Sequence, residues 1–190
     1  MEGALRVEQR DIRRSLDASP DIHVDYLRID PRRPGDKPGN LAGQLGSGKY
    51  RVYFIGDLPA NVFSREEMEN LTQSVSQGSG LLMLGGYHAF GPGGYGDTPL
   101  AAVLPIEIGR LERQGLGEAV RDDLHWPGPI RMRPSQFGRN HFLLRLSDSD
   151  NLGAWNRLPP LEGANRFSGI KPNGLVLAED DQGRPLLVAG

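Results

Sequence analysis

The stretch from Tyr50 to Gly86 constrains the fold more than any other part of this chain, because it encodes two buried strands joined by a well-marked helix. "YRVYFIGD" (Tyr50–Asp57) is aromatic and β-branched with a polar end, the pattern of a strand covered on both faces. Ser64, with Glu67 three residues on, makes a capping box. Met68, Leu71 and Val75 then form an apolar stripe at helical spacing, and Gly78 stands where a helix end belongs. "GLLMLGG" (Gly80–Gly86) follows as a continuous apolar strand. Strand, helix and strand with short joints make a βαβ unit, whose two strands run parallel. The class predicted is α/β.

Around that unit the signals are weaker. Leu5, Ile12 and Leu16 recur at helical spacing and predict a first helix over Leu5–Asp17, ended by Pro20. "IHVDYLRI" (Ile22–Ile29) alternates apolar and polar residues and predicts a strand. Asp30–Lys49 shows no periodicity and is rich in proline and glycine, so it reads as a long loop. Further on, the sequence predicts a short helix over Thr98–Val103 and short strands at Ile106–Ile108 and Ile130–Arg133. One or two helical turns fall within Leu152–Leu158, and "GLVLAED" with "RPLLVAG" reads as a closing hairpin. No repeat or linker divides the chain, which is read as one domain over 1–190. It opens on a helix with no strand ahead and closes on apolar residues, so both ends read as truncated, with a first strand and C-terminal elements missing. A sheet lacking a strand leaves a gap that a second copy can fill, making a homodimer one expected arrangement.

Composition removes several functions. The absence of cysteine excludes disulfides, thiolate metal sites and a cysteine nucleophile. A net charge of -2, and arginines 10, 13 and 14 interleaved with acids, give no field for nucleic acid. No apolar run approaches the roughly 20 residues of a membrane span, so a soluble segment without direct membrane insertion is expected. His23, His88, His125 and His141 are scattered without an i,i+4 pair, and neither metal nor cofactor is expected.

"GGYHAFGPGGYG" (Gly85–Gly96) is the candidate site. Gly91, Gly93 and Gly96 spell a dinucleotide fingerprint, but the strand ends several residues too early and Pro92 interrupts it. "GQLGSGK" (Gly43–Lys49) has P-loop letters without the preceding strand or the following hydroxyl. "DSDNLG" (Asp148–Gly153) starts like a calcium loop, with Leu152 at a ligand position. What remains is the carboxyl edge of the parallel strands, where ligands of open α/β sheets gather. Asp57 ends one strand, Gly85, Gly86, Tyr87 and His88 end the next, and Glu2 and Arg6 are expected to follow a first strand lost upstream. In the catalytic reading, Asp57 or Glu2 is the acid/base, His88 the proton carrier and Arg6 the anion anchor. In the bland reading, the glycines permit a turn while Tyr87, Phe90 and Tyr95 pack it onto the sheet.

Three segments carry a family resemblance: "EGALRVEQRDIRRSLDASPDIHVDYLRID", "YFIGDLPANVFSREEMENL" and "GSGLLMLGGYHAFGPGGYGDTPLAAVLPIEI". Together with "NHFLLRL", "AWNRLPPLEGANRF" and "RPLLVAG", they resemble a bacterial glutamine amidotransferase-like family, a branch of the class I glutamine amidotransferase-like superfamily. The resemblance implies a flavodoxin-like three-layer sandwich with a mostly parallel sheet. It also implies missing terminal elements and membership of longer, membrane-attached bacterial proteins, whose other domains or protein partners the segment would serve. The nucleophile elbow falls on "LGGYHA", and the family's cysteine position on Tyr87 or His88. Neither forms a glutamyl thioester. The function expected is therefore a non-catalytic, pseudoenzyme-like binding or assembly module without glutaminase activity. The alternative is a small-molecule or carbohydrate-related enzyme using the acid/His edge.

Overall fold

In the computed structural model, which describes residues 1–3, 7–46, 48–109 and 112–190, the central unit forms as its sequence dictates. Strand β1 (Val52–Ile55) and strand β2 (Gly80–Met83) pair in parallel, Val52 opposite Gly80 and Ile55 opposite Met83. Between them lies a helix, Arg65–Ser76, with both halves of the capping box made: Glu67 N–H donates to Ser64 Oγ and Ser64 N–H to Glu67 Oε2. The Lys37 ammonium closes on the same carboxylate, which anchors the preceding loop to the helix start. Met68 and Leu71 are buried, Val75 partly so.

In chain order the helices are α1 (Val7–Asp17), α2 (Leu41–Gly46), α3 (the central Arg65–Ser76) and α4 (Asn151–Asn156). Leu5 of the predicted first helix lies outside the described residues. Helix α2 falls inside the expected loop. Its Leu41 and Leu45 enter the core, and the Leu45 carbonyl, left without a helical partner, accepts from Tyr53 Oη at 2.8 Å and Ser74 Oγ at 2.6 Å. This ties a six-residue helix to β1 and α3.

The predicted strand at Ile22–Ile29 reduces to one parallel bridge, Arg28 with Glu2. Glu2 N–H donates to Leu27 O and Ile29 N–H to Glu2 O, both at 3.0 Å. On the other side, Met1 N donates to Phe54 O at 2.6 Å and Gly56 N–H to Met1 O at 2.9 Å. Met1 and Glu2 thus run between β1 and the Leu27–Ile29 segment.

The second half overturns the expected sandwich. After β2 come β3 (Ile106–Glu107), β4 (His125–Ile130), β5 (Arg133–Pro134), β6 (Leu161–Asn165), β7 (Gly169–Ile170), β8 (Leu175–Glu179) and β9 (Pro185–Ala189). Their pairings, β3–β7, β4–β6 and β5–β8–β9, are all antiparallel. The fold is mixed α/β with small, mostly antiparallel sheets, not a flavodoxin-like, mostly parallel one. The physical reason lies in the connections. A parallel return needs a crossover of a dozen or more residues, usually a helix, whereas 3₁₀ turns at Tyr95–Asp97 and Pro99–Ala102 follow β2. Pro127, Pro129, Pro134 and Pro185 then keep the later strands short and suited to edges.

One apolar cluster joins α2, α3, β1 and β3, with Ile55, Leu58, Leu71, Tyr95 and Leu100 fully enclosed. A second, smaller one gathers Leu144, Trp155, Leu177 and Ala178, where Trp155 Nε1–H donates to Leu144 O at 2.8 Å. The closing hairpin is β8–β9. The calcium-like "DSDNLG" is a helix start: Asp150 caps α4 by accepting from Gly153 N–H at 2.9 Å.

Candidate functional site at the end of the parallel pair

Chain reversal at the carboxyl ends of β1 and β2 brings Glu2, Asp57 and the Gly85–His88 segment together. Glu2 is buried, and its Oε1 accepts from Asp57 N–H at 3.1 Å and from Gly3 N–H at 3.2 Å. It braces the strand end rather than facing solvent. Asp57, equally buried, turns its carboxylate to the next strand end, where Oδ1 accepts from His88 N–H at 2.6 Å. Gly86 makes this approach possible: a β-carbon there would stand 2.5 Å from the Asp57 carboxyl carbon. Arg6 lies outside the described residues.

The imidazole of His88 is mostly buried, its Nδ1 3.7 Å from Asp57 Oδ2. That is an ion-pair separation, beyond the roughly 2.6–3.2 Å expected of a proton-transferring pair. The Asp57 carboxylate facing the ring raises the His88 pKa above its ordinary value against the opposing effect of burial, and the Gly115 carbonyl adds to the rise. Nε2 of His88 is buried without a hydrogen-bond partner.

The antiparallel ribbon β4–β6 docks on this elbow by its end, where His125 and Asn165 stand opposite each other. Asn165 Oδ1 accepts from Gly86 N–H at 2.9 Å while Asn165 Nδ2 donates to Gly86 O at 2.8 Å, a two-bond clasp across 79 residues of sequence. His125 meets Tyr87 edge to face at 5.8 Å between ring centroids. Burial lowers the His125 pKa, and its Nε2 is also buried without a partner. Tyr87 itself remains 52% exposed.

The glycine-rich loop then folds onto the core. Tyr95 is fully buried, its hydroxyl donating to Leu58 O at 2.9 Å, and desolvation raises its pKa far above the usual phenol value. Phe90 adopts a left-handed backbone, φ 51°, rare for a residue with a side chain. Packing of its ring against the core offsets that strain. Gly93 O accepts from Ala60 N–H at 2.8 Å and Pro92 O from Gln114 N–H at 3.0 Å, so the loop is pinned from two sides. Neither a pyrophosphate-binding turn nor a helix N-terminus forms over Gly91–Gly96, which ends in a 3₁₀ turn.

Beside His88 a cleft of about 270 Å³ opens between Pro59, Asn61, Pro92 and the segment 113–116. Arg113, Asn61, Asn165 and His125 were not marked by sequence as site residues. Nothing local signals them, because each reaches the elbow through tertiary contact alone. No group of three or more metal-ligating side chains gathers anywhere among the described residues. No helix among them is long and apolar enough to cross a membrane.

The chain matches no model of a known protein family, and no curated protein matches it.

Proposed function

We propose that this chain is a non-catalytic, amidotransferase-like binding module, with its ligand-facing surface at the cleft beside His88. The observation that carries the reading is the engagement of the elbow's backbone donors. In acyl transfer, free N–H groups at such a turn stabilise the oxyanion. Here Gly86 N–H is held by Asn165 and His88 N–H by Asp57. The chain has no cysteine, and Tyr87, at one of the two positions expected for the nucleophile, packs edge to face against His125, with no base among the described residues in hydrogen-bonding contact. The absence of a thiol and the engaged donors both oppose glutaminase chemistry.

One observation favours the second reading, a small-molecule or carbohydrate-related enzyme: the His88–Asp57 pair borders an open cleft. In such an enzyme the His88 cation is the general acid and Asp57 holds it charged.

A thermal-shift screen against glutamine, glutamate, nucleotides and sugars, with ammonia release from glutamine followed in parallel, tests the leading reading. The expected result is stabilisation by at least one ligand class, lost in His88→Ala, with ammonia at the level of the buffer control. Ammonia release above that control, or silence across every class, contradicts it.

A further inference from the structure

The cleft beside His88 has a one-sided chemistry. Of its lining side chains, Asn61 and Arg113 offer exposed hydrogen-bond donors, His88 adds an imidazole edge, and none is a carboxylate. Gln114 also lines it, but its amide is committed elsewhere: Nε2 donates to Ala119 O at 3.0 Å and Oε1 accepts from Arg121 N–H at 3.0 Å. Glu118, on the same segment, accepts from Gly115 N–H at 3.2 Å and is not among the lining residues. The backbone donors of Gly93, Gln114 and Gly115 are likewise taken, by Ala89 O, Pro92 O and the Glu118 carboxylate.

Arg113 is the distinctive member. It is exposed at the rim and makes no ion pair with any described residue, in a chain whose arginines 33, 65, 121, 133, 157 and 184 each have an acidic partner. Its guanidinium lies over Gly94, whose φ of +78° and missing side chain leave room for it; a β-carbon there would approach Arg113 Nε to 2.5 Å. The fork is thus placed by the loop. His88 lines the same cleft, its Nδ1 facing the buried Asp57 carboxylate and its Nε2 buried.

We propose that the cleft binds a small metabolite through a carboxylate group, with Arg113 forming the charge-assisted pair and Asn61 and His88 flanking it. This deepens the binding-module reading and rests on it. A planar carboxylate matches the guanidinium fork. The volume of about 270 Å³ falls just under the range of roughly 300–1,000 Å³ typical of ligand pockets, which selects a small molecule over a nucleotide.

Succinate is the probe, titrated into the whole chain by calorimetry and thermal shift at fixed ionic strength, with neutral succinamide and inorganic phosphate as parallel arms. The expected result is saturable succinate binding that succinamide does not reproduce. Arg113→Gln should weaken it by about tenfold to a hundredfold, the loss expected for a hydrogen bond to a charged group. Arg113 and Asn61 are exposed, so Arg113→Gln and Asn61→Ala should leave the ligand-free Tm unchanged, which separates lost binding from lost folding. Equal affinity in Arg113→Gln, equal binding of succinamide, phosphate binding without succinate binding, or no succinate binding overturns the assignment. If another class in the broader screen binds and depends on His88 while succinate does not, the carboxylate assignment falls and the module reading stands. Ammonia release removes the module reading itself.

Discussion

Asn165→Ala is the perturbation that reads the elbow most sensitively. The side chain is 7% exposed and makes two hydrogen bonds to one glycine, at 2.9 Å from Gly86 N–H and 2.8 Å to Gly86 O. Each such bond contributes about 0.5–1.5 kcal/mol net, so the clasp accounts for about 1–3 kcal/mol. Gly86 is only half-buried, so water can reach its freed groups and the full desolvation penalty of an orphaned pair does not apply. For a chain of this size, roughly 2–4 °C of Tm follows each kcal/mol, giving a drop of about 2–12 °C. The assay is thermal unfolding followed by circular dichroism, with amide exchange at Gly86 measured on the same variant. Exchange at Gly86 should quicken while the amides of α3 keep their relative protection. A Tm within about 1 °C of wild type together with unchanged Gly86 exchange would refute the claim that the β4–β6 ribbon holds the elbow.

The remaining expectations concern the cap, the strand crossing, the core and the two histidines. Ser64→Ala removes the acceptor of the capping box and should cost about 1 kcal/mol in a denaturant titration. Gly86→Ala forces a methyl group against the Asp57 carboxylate and should destabilise by about 1–3 kcal/mol, whereas Gly35→Ala, in open space, should be near neutral by the same assay. Leu71→Ala empties a fully buried site in the main cluster and should cost about 2–5 kcal/mol, read as a shift in denaturant midpoint. The pKa of His88 is raised on folding, so its stabilising contribution is full below about pH 6.5 and is lost as pH rises through the folded value. That of His125 is lowered, so its neutral, buried form costs stability as pH falls through about 6.5. Stability against pH should therefore flatten on the alkaline side in His88→Gln and on the acid side in His125→Gln, and identical profiles would contradict both assignments.

What could be read in the sequence was local. The capping box, the apolar stripe of α3 and the two flanking strands each carry their signal within a dozen residues, and all formed. The convergence of Asp57, Glu2 and His88 followed from placing strand ends on a shared edge. Helix α2 escaped because Gly43 and Gly46 mask its spacing, and only burial of Leu41 and Leu45 against α3 fixes it as a helix. The antiparallel half escaped for a different reason. "HWPGPI" alternates poorly and carries two prolines, so its pairing with Leu161–Asn165 is set by tertiary contact rather than by strand propensity. The flavodoxin-like expectation failed by extending the parallel βαβ unit into a region lacking crossover helices. Asn165 is the instructive omission: an ordinary asparagine in sequence, it becomes the residue that closes the elbow.

Hydrogen exchange at the Gly86 and His88 amides of the wild-type protein tests the central claim most directly. With both N–H groups engaged by Asn165 and Asp57, each should exchange at least about a hundredfold more slowly than in an unstructured chain. Exchange at unstructured rates would leave those donors available to a developing oxyanion and would contradict the reading of this turn as a closed, non-catalytic elbow.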